Sequence, residues 1–290
     1  MSDLEPRVAL ASSALLGETP VWSASEERLY WIDSIAATIH RFDPARGRDE
    51  VLPVSLNGYL GAMALVSGGG LLILCGKELL RLPPGAARPE PIASVEAEIH
   101  DNLPNDGKVD PEGRFWFGTM HASVSEPTGG LYSYDRDNGL ERHDGGFACA
   151  NGMGWSPDGR TFYFVDMIPG HILAYDRDRK TGGLGRRHVF AALDPARGLP
   201  DGLCCDAEGG VWVALRDGWG VARYDAAGQR TDWIALPVPR PTCPAFGGPG
   251  LRTLFVTSSS DGQLDKAPLS GSLFAWRPKV PGLPVASFSG

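Results

Sequence analysis

The stretch Asn151–Asp166, NGMGWSPDGRTFYFVD, decides how the rest of the chain is interpreted. It joins a polar pair, Asn151-Gly152, to a short apolar segment and the turn sequence Ser156-Pro157-Asp158-Gly159. Proline at the second position and glycine at the fourth are typical of a type I turn. The segment after the turn, Thr161–Val165, contains the aromatic and β-branched residues that favour strands. The stretch therefore predicts a β-hairpin.

The same hairpin pattern occurs six times along the chain. The copies start near residues 20, 62, 104, 151, 200 and 241, at spacings of 42, 42, 47, 49 and 41 residues. Each copy continues into a further short strand, such as Leu131–Asp135 in the third copy. A period in the forties with four short strands per unit is typical of a β-propeller. We therefore predict an all-β fold: one six-bladed β-propeller domain over residues 1–290, with four antiparallel strands per blade.

The composition fits short strands joined by turns and argues against several partners. Gly and Pro make 38 and 24 of the 290 residues without a collagen-like period, and 42% of the residues are hydrophobic. The net charge is -8 and Lys and Arg form no cluster, so neither nucleic acid nor an anionic membrane is an expected partner. No apolar run approaches the roughly 18 residues of a membrane-spanning helix.

The N-terminal segment is predicted to be a strand of the mature protein. Its apolar part, Val8–Leu16, follows acidic residues and lacks the basic region of a signal peptide. An open ring would expose two sheet edges. We therefore expect this segment to complete the sheet of the last blade, near Pro284–Phe288. A closed propeller has no exposed edge that needs a partner, which favours a monomer.

The cysteines indicate a reducing compartment. The chain has five of them, an odd number, with no Cys-x-x-Cys pair. This pattern fits poorly with disulfide bonds and predicts buried free thiols in a cytoplasmic protein.

Polar residues recur at one position of the repeat. Asn105, Asn151 and Asp201 each lie eight residues before the turn glycine of their copy. Glu18 lies eight residues before Glu26, in the corresponding turn of the first copy. Taken singly, each residue is typical of a turn or a solvated loop, but turn chemistry does not explain their shared position. Because the first strand of each blade lines the central channel, we predict that these four side chains meet at one end of it.

A bound cation would relieve the cost of burying these groups together. Glu18 and Asp201 would repel each other in a narrow cavity, and each is costly to desolvate. Oxygen ligands from Glu, Asp and Asn suit hard divalent ions such as Ca²⁺, Mg²⁺ or Mn²⁺. The sequence has no His or Cys ligand cluster, which argues against a structural zinc. Copies two and six have Leu60-Gly61 and Pro241-Thr242 at this position, so those sides should be open or apolar.

The chain resembles the family of regucalcin, gluconolactonase and luciferin-regenerating enzyme, also described as senescence-marker-protein-like. Five collinear motifs span nearly the whole chain: GETPVW at 17–22, LPNDGKVDPEGRFWFGTM at 103–120, NGMGWSPDGRTFYFVD at 151–166, PDGLCCDAEGGVWVA at 200–214 and AFGGPGLRTLFVT at 245–257.

The resemblance implies both a site and an activity. It implies a six-bladed propeller with one divalent metal held by Glu18, Asn151 and Asp201, and Asn105 beside the metal in the substrate pocket. The implied activity is hydrolysis of sugar lactones, and bacterial members of this kind commonly open aldonolactones. The identity of the ion stays open among Ca²⁺, Mg²⁺, Mn²⁺, Zn²⁺ and Fe²⁺.

The expected substrate-binding residues are Asn105, Asp106, Leu103, Ser123 and His121. Two of these depart from the family. Many relatives have an arginine that contacts a substrate hydroxyl where this chain has Leu103, and animal relatives have a substrate-contacting glutamate where Ser123 aligns. His121 follows the Gly-Thr-Met motif and could reach the pocket, or it could be a surface histidine. The substitutions leave the identity of the sugar open.

The predicted reaction opens an aldonolactone of the gluconolactone, xylonolactone or arabinonolactone type. A divalent ion would polarise the lactone carbonyl and make water acidic enough to supply hydroxide near neutral pH. Asp201 is the expected general base, while Asn105 and Asp106 would orient the lactone or its oxyanion. Two alternatives stay open. One is hydrolysis of other esters, such as organophosphates or non-sugar lactones, and the other is a non-catalytic calcium-binding propeller.

Overall fold

Six four-stranded antiparallel sheets form a ring in the computed structural model, which describes residues 5–289. The innermost strands of successive sheets contact each other around the ring, and the innermost strand of the last sheet contacts that of the first. The prediction of a six-bladed β-propeller is therefore confirmed. The six innermost strands are β2 (Gly17–Ser23), β6 (Leu60–Leu65), β10 (Asn102–Val109), β14 (Ala150–Trp155), β18 (Leu199–Cys205) and β22 (Pro241–Gly247).

The remaining strands lie outward from these in chain order, so each blade is an antiparallel meander. They are β3 (Arg28–Asp33), β4 (Thr38–Asp43) and β5 (Arg48–Val51) in blade one; β7 (Leu71–Cys75), β8 (Glu78–Leu82) and β9 (Glu90–Ser94) in blade two; β11 (Phe115–His121), β12 (Gly129–Asp135) and β13 (Gly139–Phe147) in blade three; β15 (Thr161–Asp166), β16 (His171–Arg177) and β17 (Leu184–Ala192) in blade four; β19 (Val211–Arg216), β20 (Gly220–Tyr224) and β21 (Arg230–Ala235) in blade five; and β23 (Thr253–Ser258) and β24 (Leu273–Trp276) in blade six. Within the described residues, two 3₁₀ turns, Pro195–Arg197 and Pro249–Leu251, are the only helical segments.

The N-terminal strand β1 (Arg7–Leu10) closes the ring as the outermost strand of the last blade. It pairs with β24, with Arg7 opposite Ala275 and Leu10 opposite Leu273. The expectation that this segment completes the last blade is confirmed, but the expected neighbour, Pro284–Phe288, was wrong, and the strand ends well before Leu16.

The C-terminal segment crosses between blades instead of lining one edge. Phe288 forms a parallel bridge with Val66 of blade two, whereas the backbone N–H of Ala207 in blade five donates to the carbonyl of Pro281. Pro281 and Pro284 have no backbone N–H, so this segment cannot supply a continuous ladder of hydrogen bonds.

The hydrophobic core lies between neighbouring blades. Its fully buried side chains include Trp31, Trp116 and Trp212, as expected for tryptophans within strands. A hydrogen-bonded turn lies between β14 and β15, as predicted, because the N–H of Gly159 donates to the carbonyl of Ser156 over 2.8 Å. All five cysteines are free and buried, as predicted. None of the helical segments in residues 5–289 has the length and apolar character of a membrane span.

Candidate metal and substrate site

Each innermost strand has an irregular register at its start, and the predicted polar residues lie at these irregularities. Shifts occur after Glu18 in β2, after Pro104 in β10, after Asn151 in β14 and after Pro200 in β18. Such bulges redirect side chains away from the regular alternation of a strand. We call the position of Glu18, Asn105, Asn151 and Asp201 the slot position.

Asn151 and Asp201 are in direct contact across two blades. The Asn151 side-chain Nδ2 donates to Asp201 Oδ1 over 2.6 Å, and both residues are buried. Glu18 is buried in blade one, where its Oε2 accepts from the Thr19 N–H over 3.2 Å. The ring therefore brings together three side chains that are far apart in sequence.

The buried carboxyl groups favour their protonated forms when no metal is bound. Burial is the main cause that raises the pKa of Glu18 well above its usual value, and the charges of Asp201 and Asp106 raise it further. Burial likewise raises the pKa of Asp201 to about 7, against the opposing effect of the Arg216 charge. Both carboxyl groups would be ionised most readily beside a cation.

Asn105 and Asp106 lie in blade three, next to the same end of the channel. The Asn105 Nδ2 donates to the Ala150 carbonyl over 2.9 Å. The Asp106 Oδ1 accepts from the Gly107 N–H over 2.7 Å, while its Oδ2 is buried without a hydrogen-bond partner. Burial raises the pKa of Asp106, and the charge of Lys108 acts in the opposite direction.

The donor set fits a divalent ion. Glu18, Asp201 and Asn151 offer only oxygen ligands, which hard cations prefer, and a cation would offset the repulsion between the buried carboxylates. Among residues 5–289, no three or more His, Cys, Asp and Glu side chains are grouped to hold a metal. The candidate site has a different composition, because one of its three members is the amide of Asn151.

The other predicted substrate-binding residues are less closely tied to the slot position. Leu103 packs against an apolar cluster that contains Met120 and Cys149. Ser123 is exposed, and its Oγ lies 2.9 Å from Nδ1 of His121. Ser123 and His121 thus contact each other at the end of β11, and their hydrogen bonds within the described residues do not reach Glu18, Asn151 or Asp201.

Two residues near the site were missed in the sequence. The charges of Glu18, Cys149 and Asp201 contribute to a raised pKa of Tyr59, whose main cause is burial, so its phenol lies close to these groups. The charge of Arg216 lowers the pKa of both Glu18 and Asp201. Neither residue lies at the slot position. Arg216 could have been found by aligning the ends of the second strands of the six copies.

A cavity of about 380 Å³ lies at the other end of the channel. It is lined by residues from the later parts of the innermost strands, such as Val109 and Trp155, and by the C-terminal residues Leu283–Ala286. This cavity is therefore separate from the cluster of Glu18, Asn151 and Asp201.

Comparison with known proteins extends over almost the whole chain. Residues 16–260 match the family model described as the SMP-30/Gluconolactonase/LRE-like region. Regucalcin of Xenopus laevis is 33% identical over 295 residues, which cover 98% of this chain and 97% of the relative. A 6-deoxy-6-sulfogluconolactonase of Pseudomonas putida is 36% identical over 284 residues, with 96% of each chain covered. A crystal structure of a calcium-binding protein, regucalcin of Agrobacterium tumefaciens, matches with a TM-score of 0.92 at 29% identity, covering 98% of this chain and 97% of the other.

Proposed function

Because this chain belongs to the SMP-30/gluconolactonase/LRE-like family, we propose that it is a metal-dependent lactonase that opens a sugar aldonolactone to the aldonic acid. The observation that carries the proposal is the buried cluster of Glu18, Asn151 and Asp201, in which carboxyl groups from blades one and five meet an amide from blade four. A relative that is 36% identical bears the name of a lactonase, which supports this class of reaction.

The three residues of the cluster would hold the ion. A divalent ion in this place would supply Lewis acidity toward the lactone carbonyl and toward water. Glu18 and Asp201 would provide anionic oxygens, and the Asn151 side chain a neutral one. The structurally similar regucalcin of Agrobacterium tumefaciens is described as a calcium-binding protein, which favours Ca²⁺ as the first ion to test.

Asp201 would act as the general base. Its carboxylate would take a proton from the attacking water as the water oxygen bonds to the carbonyl carbon. The bond between this carbon and the ring oxygen would then break, and the protonated Asp201 would return the proton to the ring oxygen. Burial raises the pKa of Asp201, and a cation beside it would lower this pKa again, so the ionised form that a base needs would be favoured when the ion is bound. Asn105 and Asp106 would orient the lactone or its oxyanion from blade three.

The proposal extends to the state of the protein in the cell. Five buried free thiols fit a reducing cytoplasm, and the closed ring fits a monomer. The expected ligand is a small sugar lactone.

The test is proton release from a panel of pentono- and hexono-lactones. Chelator-stripped protein should be inactive above spontaneous hydrolysis, and reloading with single divalent ions should restore turnover. Asp201→Ala should reduce kcat at least about 100-fold, because removal of a general base typically costs 10²- to 10⁴-fold. Asp137→Ala, which changes an exposed turn in blade three, is the matched control and should leave turnover unchanged.

Two results would contradict the proposal. Near wild-type turnover of Asp201→Ala with full metal occupancy would remove Asp201 from the role of base. Measured metal binding without turnover of any lactone would favour a different ester, tested with phosphotriesters, or a non-catalytic calcium-binding propeller.

A further inference from the structure

In each blade, one residue of the second strand pairs with the residue just before the slot position. The residue that follows this pairing partner occupies an equivalent place in every blade. In blade four Ala150 pairs with Asp166, and in blade five Pro200 pairs with Leu215. One residue farther along, Met167 and Arg216 are therefore equivalent. We call this the rim position. In chain order it is occupied by Ser34, Gly76, Met120, Met167, Arg216 and Ser259.

In blade four the side chain at the rim position reaches the slot residue of the same blade. In blade four the Sδ of Met167 lies 3.6 Å from the Nδ2 of Asn151. By the same geometry, Arg216 lies beside Asp201 in blade five. The electrostatic effect of its guanidinium on the pKa of Asp201 and Glu18 agrees with this placement. Arg216 is the only charged residue among the six rim residues, all of which lie in the described part of the chain.

Arg216 is half-buried, and its guanidinium lacks a charged partner in the described part of the chain. Among residues 5–289 no salt bridge or side-chain hydrogen bond involves it, whereas the buried Arg177 pairs with Asp110 and Glu112. The adjacent carboxylate of Asp217 is engaged by Arg240, whose Nε lies 2.7 Å from it. The nearest acidic group in sequence is thus already paired with another arginine.

The charges at this end of the channel leave Arg216 uncompensated once a divalent ion is bound. The two negative charges of Glu18 and Asp201 balance the ion. Asp106, if ionised, has the ammonium of Lys108 beside it. A guanidinium binds planar anions through two parallel hydrogen bonds, which makes it suited to carboxylate and sulfonate groups.

We propose that Arg216 is a specificity-determining residue that binds an anionic substituent of the lactone, a carboxylate or sulfonate remote from the reacting carbonyl. This inference rests on the proposed lactonase function. It also follows that the anionic substituent of the lactone points toward blade five.

The test compares two lactones that differ at one carbon. D-Glucaro-1,4-lactone carries a free carboxylate where D-glucono-1,4-lactone carries a hydroxymethyl group. With metal-loaded protein, the carboxylate compound should be the better substrate, and Arg216→Gln should raise its KM about 10- to 100-fold. The kinetic constants for the neutral lactone should change less than about threefold. Arg216→Lys, which keeps the charge but not the planar geometry, should recover part of the loss.

Two further measurements separate this role from a general effect on the site. Arg197→Gln removes an exposed arginine from the 3₁₀ turn just before β18 and should leave the KM for both lactones unchanged. The KM of the wild-type protein for the anionic lactone should rise with ionic strength, and this rise should be smaller in Arg216→Gln.

Each other outcome is decisive. Equal losses for both lactones in Arg216→Gln, or no loss for either, would overturn the inference, as would a wild-type preference for the neutral lactone. In those cases the proposed function stands, because the wild-type protein still hydrolyses a lactone. Absence of turnover with every lactone would overturn both.

Discussion

The pKa of Asp201 is set by opposing effects of burial and of its immediate neighbours. Burial raises its pKa, whereas the Asn151 amide and the Arg216 charge stabilise its ionised form. Without a cation, ionising Asp201 and Glu18 together is unfavourable, since each raises the energy of the other's charge. A metal ion should therefore bind in competition with protons, and its affinity should increase with pH.

We predict that metal-stripped protein loses stability as the pH rises from about 4 to about 7. The folded-state pKa of Asp201, about 7, exceeds the ordinary value of 3.8. The folded state therefore holds this proton more tightly than the unfolded state does. The stabilisation that this proton contributes is complete below pH 3.8, the ordinary pKa. It declines as the pH rises toward the folded-state pKa and is absent above it. The expected loss is a few kcal/mol, because one pKa unit corresponds to about 1.4 kcal/mol.

Urea unfolding in a chelator between pH 4 and 8 measures this loss. Asp201→Asn keeps an oxygen that can accept from Asn151 but cannot ionise, so its stability should depend less on pH than that of the wild type. Saturating Ca²⁺ should also reduce the dependence in the wild type. Identical pH profiles for the wild type and Asp201→Asn would contradict the prediction.

Residues at the slot position were predictable because a repeat turns sequence spacing into spatial proximity. Glu18 and Asp201 are 183 positions apart, from 18 to 201, yet their charges affect each other. Arg216 was not predicted, since its place depends on which residues pair between two strands. Tyr59 precedes its strand and falls outside the repeat pattern altogether.

The start of β14 requires a small residue as well as a bulge. Asn151-Gly152 has the sequence of a hairpin turn, but both residues lie within β14. A Cβ atom added at Gly152 would clash with the carbonyl oxygen of Asp201 and lie 2.8 Å from the N atom of Leu203. The glycine therefore allows the first strands of blades four and five to approach closely. This contact holds Asn151 against Asp201.

Gly152→Ala should separate these two strands and weaken the site. We expect a loss of about 1–3 kcal/mol in the free energy of unfolding, typical of overpacking, and at least a tenfold loss in metal affinity. Gly185→Ala in β17 is the control, because its Cβ would meet its nearest neighbour, Asp176 Cβ, at 3.4 Å, an ordinary contact. Unchanged metal affinity in Gly152→Ala, measured by calorimetry, would show that the close approach is not required.

The ring as a whole is closed by residues from both ends of the chain. The antiparallel pairing of β1 with β24 places the N-terminal strand in the blade that the chain completes last. Closure could be predicted from the cost of an open edge. The identity of the paired strand could not, because both Leu273–Trp276 and Pro284–Phe288 are apolar and of strand length.

Deleting residues 1–10 should destabilise the whole protein without abolishing its fold. The deletion exposes the edge of β24 and apolar residues beneath β1, so we expect the midpoint of thermal unfolding to fall by several degrees, at about 2–4 °C per kcal/mol. A synthetic peptide of residues 5–13, added in excess, should restore part of the loss, whereas a scrambled peptide should not. An unchanged midpoint after the deletion would show that β1 contributes nothing to closure.

The same closure sets an order on biosynthesis. The residues that would hold the ion emerge from the ribosome at positions 18, 151 and 201, and the partner of β1 emerges only at Leu273–Trp276. A nascent chain halted before this point contains Glu18, Asn151 and Asp201 but has no partner for its first strand. Premature termination should therefore yield chains with an unprotected sheet edge, which are targets for chaperones and proteases. Only a chain synthesised beyond Trp276 can close the ring.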